Sequence, residues 1–151
     1  MEPSSSYVLL ARQGRRLLQI GVLLFLLTSF EGFAIPYMAS PPLGRSTHSL
    51  AALFAVILLA LGLAWPMLRL GAAASRIALW LLVYSGLAIT AAFLLAALWG
   101  AGKTTMPLAG AALGSAFQEA SIAAVAYSSA PTGIISFALI LWGLRGDSPR
   151  S

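Results

Sequence analysis

The chain has 151 residues, 60% of them hydrophobic and only 9% charged, with a formal net charge of +5. A mean hydropathy of +0.91 leaves too little polar surface to coat a soluble globule of this size, so the sequence reads as an integral membrane protein. The absence of cysteine removes disulfides, thiolate metal sites, iron–sulfur clusters and cysteine nucleophiles, and basic residues scattered over chain ends and short loops do not form the single-faced cluster of a nucleic-acid binder.

Residues 1–11, with Pro3 and the Ser4 to Ser6 run, read as a mobile tail. A first span runs from about Leu17 to Pro36, behind Arg12, Arg15 and Arg16. Arginines before an apolar run also begin signal peptides, but this run is about 20 residues long, carries Glu31 near its end and lacks a following A-x-A site, so it is kept as a span. Glu31 lies about one and a half turns before Pro36, where its charge is poorly solvated unless paired. It either snorkels outward or bonds a serine, or it serves as a general acid, proton carrier or cation site.

The prolines of the segment Pro36 to Pro42 prevent a continuous helix and predict a rigid cap over the outer end of the bundle. A second span covers Ser49 to Leu68, with His48 at its mouth and Ser46 and Thr47 available as helix caps. As the only histidine, His48 is either an interfacial anchor or a ligand or acid–base group. The third span, Ile77 to Trp99, carries Ala88, Ala92 and Ala96 on one face, a spacing that lets helices approach closely within one subunit or between subunits. Tyr37, Trp65 and Trp99 read as interfacial belt residues.

The loop from Gly100 to about Phe117 is the longest, and its glycines permit a folded-back or partly re-entrant path. Ala97 to Thr104 matches a relaxed phosphate-loop pattern, but that motif needs a strand before it and here follows a transmembrane helix, so nucleotide binding is rejected. The fourth span runs from Ala120 to Leu144. Gln118 and Glu119 enter it at the end where a carboxylate complements the helix dipole. Ser128, Ser129, Pro131, Thr132 and Gly133 predict a kink whose freed backbone groups are met by hydroxyls. From Gly146 onward the chain reads as a second tail.

The spans lack the alternation of a barrel strand and are rich in Leu and Ala, so the fold class is an all-α bundle of four transmembrane helices forming one domain over residues 1–151. Seven basic residues (Arg12, Arg15, Arg16, Arg69, Arg76, Arg145 and Arg150) flank one side, against Arg45 and Lys103 on the other. That imbalance places both termini and the loop between spans 2 and 3 in the cytosol of a multi-pass protein, in a bacterial inner membrane or a eukaryotic endomembrane. Glu31, His48 and Glu119 then gather at the outer end. Ionisable groups are costly near hydrocarbon, so the three mark the candidate site.

Several ordered segments resemble the hydroxylaminobenzene mutases: Leu17 to Leu27, Gly32-Phe33-Ala34-Ile35-Pro36, Ser46-Thr47-His48, Gly62 to Pro66, Leu98 to Gly102, Met106 to Gly110, Phe117-Gln118-Glu119 and Leu141 to Arg145. The resemblance covers about Arg15 to Arg145 with little gapping. That family is similar to styrene oxide isomerase, which implies four membrane helices, a homotrimer, and ferric haem b at the subunit interfaces. His48 falls on the position of the iron-ligating histidine. The resemblance further implies that a Lewis-acidic iron binds the oxygen of a hydroxylaminoarene or epoxide reaching the site through the lipid bilayer, and rearranges it without net redox change. Glu31 or Glu119 would serve as catalytic acid. Three substrate-pocket positions depart from the pattern: Phe54 and Ile89 stand where the family has asparagines, and Phe93 where the isomerase has a tyrosine, which removes polar groups that orient a moving oxygen. Glu31 replaces an expected neutral residue. The alternatives are a diverged, non-catalytic haem- or lipophile-binding protein and a small proton-coupled exporter, which an absorption band of bound haem in purified protein separates.

Overall fold

A computed structural model describes residues 5–145; the tail read from Gly146 onward lies outside them. Four helices carry the chain: α1 (Ser5–Ala34), α2 (Pro41–Ala64), α3 (Ala72–Trp99) and α4 (Ala116–Gly143). Each is long and apolar enough to cross a membrane, a crossing that takes about 20 residues. Short 3-10 turns at Ile35–Tyr37, Trp65–Met67 and Pro107–Ala109 shape the connections, and no strand occurs among the described residues. The protein is a multi-pass, all-α membrane protein.

α1 packs against α2, α2 against α3, and α3 against α4, while α1 and α4 do not meet. The interior divides into two halves along the helix axes. Leu17, Leu58, Trp65, Leu79 and Leu82 fill the half nearer the arginines. The other half is built around Leu43, Ala92, Ala96, Ala101 and Ile122. Close helix approach has identifiable causes. A Cβ on Gly14 would collide with the Gly62 carbonyl, so the paired glycines let α1 and α2 touch backbone to backbone. α3 and α4 are stitched by hydroxyls: Ser85 donates to the Ser129 carbonyl at 2.8 Å, and Ser136 to the Ala78 carbonyl at 2.8 Å.

Four expectations change. The supposed N-terminal tail is helical from Ser5, because nothing after Pro3 breaks the helix and α1 simply extends beyond the apolar run. α2 starts at Pro41 rather than near Ser49, with two prolines in its first turn, where the missing N–H is not needed and φ is already helical. Ser46 and Thr47 are therefore not caps; their hydroxyls bond back to the Pro42 and Leu43 carbonyls. Trp65 is fully buried rather than a belt residue, and its indole N–H donates to Gln13 Oε1 at 2.9 Å, which satisfies the one polar group that would bar it from the core. The Ala88, Ala92, Ala96 face is buried inside the subunit. α4 runs unbroken across Pro131, with the Thr132 hydroxyl bonded to the Ser128 and Ser129 carbonyls.

Candidate functional site

Glu31 sits in the last turn of α1, and His48 lies about two turns into α2. Their side chains meet: His48 Nδ1 is 3.1 Å from Glu31 Oε2. Glu31 therefore resolves its burial by pairing with the histidine rather than by bonding a serine. Gly32 makes the contact possible, since a Cβ there would press to 3.2 Å from His48 Cε1, and the imidazole lies against bare backbone. A carboxylate in its ionised form only accepts, and opposite a neutral imidazole such a bond has Nδ1–H as the donor and the lone pair on Nε2. Nε2 has no protein partner among the described residues, and the imidazole is 39% exposed. Glu31 is less satisfied. Its Oε1 is buried without a hydrogen-bond partner.

Glu119, in the first turn of α4, is buried. Oε1 accepts from the backbone N–H groups of Gly102 and Gly114, both at 2.8 Å. Oε2 accepts from the Thr104 N–H at 3.0 Å and from the Thr104 hydroxyl. One carboxylate thus ties both ends of the loop to α4, whose start is fixed by a capping box between Ser115 and Gln118. Glu119 and the Glu31–His48 pair occupy the same end of the bundle but share no hydrogen bond. Neither carboxylate lies in the middle of its span, which disfavours the alternating-access arrangement of an exporter.

Ile89 and Phe93 come together on one face of α3, where they line an apolar groove of about 450 Å³ closed by α4 and by the loop segment that includes Thr105 and Met106. Tyr127 and Ala130 form its α4 wall. The loop supplies a polar atom with nothing to bond: Thr105 Oγ1 is buried and unpartnered. Phe54 does not join this groove. It lies in the core with its ring over Gly86, where any side chain would overlap it. Tyr127 and Thr105 escaped the sequence reading. Tyr127 precedes the serine pair before Pro131 and offered that faint signal; nothing near Thr105 announces that loop closure buries it.

Among the described residues no group of three or more His, Asp or Glu side chains is placed to hold a metal ion. A porphyrin brings its own equatorial nitrogens and asks the protein for an axial imidazole whose other nitrogen is anchored. His48, with Nδ1 held by Glu31 and Nε2 free, fits that requirement.

A model of the styrene oxide isomerase family matches residues 13–145, which include every candidate residue above. Hydroxylaminobenzene mutase HabB of Ectopseudomonas oleovorans is 46% identical over 137 residues, spanning 90% of this chain and 84% of the relative. Hydroxylaminobenzene mutase HabA of the same organism is 37% identical over 89 residues, 59% of this chain and 66% of the relative. No solved structure matches the chain.

Proposed function

The chain belongs to the styrene oxide isomerase family, and from that premise we propose that it rearranges a small lipophilic substrate of the hydroxylaminoarene class, with aryl epoxides as the second candidate class. In such a rearrangement the N–O bond of the hydroxylamine breaks and a C–O bond forms on the ring. The displaced ring proton ends on nitrogen, so atoms and electrons balance without a redox partner. The observation that carries this reading is the Glu31–His48 pair, which presents an anchored imidazole with a free Nε2 at the end of an otherwise apolar bundle.

His48 would hold haem b through Nε2, and haem when bound supplies a Lewis-acidic iron to the substrate oxygen. Glu31 fixes the Nδ1–H tautomer and the ring orientation. Its Oε1, buried and unpartnered, is an acceptor that a rotation of the carboxylate would turn to a substrate N–H or O–H. Ile89 and Phe93 offer the aryl ring an apolar wall, while the Tyr127 and Thr105 hydroxyls stand in for the polar groups that those two positions lack. Glu119 acts as the clasp that holds the loop wall of the groove in place rather than as the acid. No residue of α1 or α2 lines the groove, and α1 does not touch α4. A homotrimer in which one copy's groove covers the next copy's His48 completes the site.

The direct test is to incubate purified, haem-supplemented protein anaerobically with hydroxylaminobenzene and separate the products. Conversion to an aminophenol isomer with no added reductant or oxidant supports the proposal. Recovery of unchanged substrate under conditions where the haem is bound would leave a non-catalytic haem protein in its place.

A further inference from the structure

The end of the bundle opposite Glu31 holds a second cluster that the isomerase reading does not use. Arg12 and Arg16 are four residues apart and share one face of α1. Arg76, in the second turn of α3, faces them across a cavity of about 170 Å³. Leu9, Gln13, Leu79 and Trp80 complete its lining. The described carboxylates, Glu31 and Glu119, are at the other end of the molecule, and the ion pair among the described residues is that of Glu31 with His48. Three guanidiniums therefore converge on one cavity with no described counter-charge. Like charges at this range repel, so an anion between them is favoured.

The cavity is built rather than accidental. Gln13 is buried, and its Oε1 is committed to the Trp65 indole N–H. The donor amide of Gln13 is the polar group it has left for the cavity. Guanidinium forks pair with phosphate oxygens through parallel N–H bonds. The volume suits a phosphate group, being below the roughly 300 Å³ at which pockets begin to take drug-sized ligands. The rest of the lining points to what the phosphate is attached to. Leu79 is buried and Trp80 is exposed beside the arginines; both belong to α3, a helix long and apolar enough to span, so in a bilayer the polar end of the cavity would continue into hydrocarbon. That pairing of a cationic mouth with an apolar floor at the edge of a span is the chemistry of an anionic phospholipid. We propose that Arg12, Arg16 and Arg76, with the Gln13 amide, bind the phosphate of an anionic phospholipid headgroup and thereby clamp α1 to α3 at a junction where the two helices otherwise touch only lightly.

The test uses the full chain in a neutral detergent, titrated with phosphatidylglycerol carrying brominated acyl chains, with quenching of tryptophan fluorescence as the readout. Brominated phosphatidylcholine and millimolar inorganic phosphate serve as comparison and competitor. Half-quenching by the anionic lipid is expected at about tenfold lower concentration than by the zwitterionic one. Arg76→Gln should remove that preference. Arg12→Gln, at an exposed position on α1, should weaken it in a chain whose folding does not depend on the side chain, and Arg45→Gln at the opposite end should leave it intact. Equal quenching by the two lipids would overturn the proposal. So would equal loss in Arg45→Gln and Arg76→Gln. Full displacement by inorganic phosphate would show a site for the free anion instead of a lipid.

Discussion

The two carboxylates at one end of the bundle have opposite fates. Glu119 accepts four hydrogen bonds from three residues of one loop and has no capacity left over. Glu31 makes one bond, to an imidazole, and keeps a buried oxygen without a partner. A charge buried with every acceptor site filled organises structure, whereas a charge left half-satisfied beside a histidine has capacity for a ligand. Sequence position pointed the same way, since Glu119 stands at a helix entry where a carboxylate has a structural use and Glu31 lies within a span where it has none. The difference comes from what the neighbouring loop does. Gly100, Gly102 and Gly110 adopt positive φ, which folds the loop back over α4 and delivers its N–H groups to Glu119.

If this contrast is right, the largest effect on stability belongs to Glu119. Glu119→Ala strands the backbone N–H groups of Gly102, Thr104 and Gly114 and should lower unfolding stability, read as a fall in thermal midpoint with faster proteolysis of the 100–115 loop. A stable variant with an intact loop would break the comparison. Glu31→Gln should do the opposite: stability stays within about 1 kcal/mol, while affinity for haem falls about tenfold, because the amide oxygen still accepts from Nδ1–H but no longer brings the charge that makes the imidazole a stronger ligand. Unchanged haem affinity would reduce Glu31 to a packing residue. The smallest effect is expected at the groove. Tyr127→Phe should leave folding and haem retention unaltered and slow turnover by about tenfold, the value of one hydrogen bond to a moving oxygen. A normal rate would remove Tyr127 from the site.

Much of this was legible in the sequence because lipid imposes simple rules. Four apolar runs become four helices since no other backbone arrangement satisfies itself in hydrocarbon, and Glu31, His48 and Glu119 meet at one end because antiparallel helices bring the end of α1, the start of α2 and the start of α4 together. Their pairing was not legible. That His48 chooses Glu31 depends on Gly32 leaving room for the ring, and Gly32 carries no signal of its own until α2 is in place. Phe54 was placed in the pocket by the family resemblance alone; in this chain its ring lies over Gly86 in the core, a neighbour 32 positions along the chain that the resemblance does not announce. Trp65 was read as a belt residue since its partner Gln13 lies 52 residues away. Orientation rests on the arginines: labelling of single cysteines placed at Ser5 and Ala73 should find both on the cytosolic side, and outward labelling of either would invert the topology.

The proposal turns on His48 as the group that would hold a haem iron in this bundle, so the most direct measurement is the absorption spectrum of protein purified from haem-supplemented cells, recorded for wild type and His48→Ala at matched membrane yield. The account predicts a haem Soret band co-purifying with the wild-type chain and lost from the alanine variant, with insertion unchanged because the four apolar spans determine it. A wild-type chain that remains colourless after haem reconstitution, or a variant that keeps the full band, would contradict it.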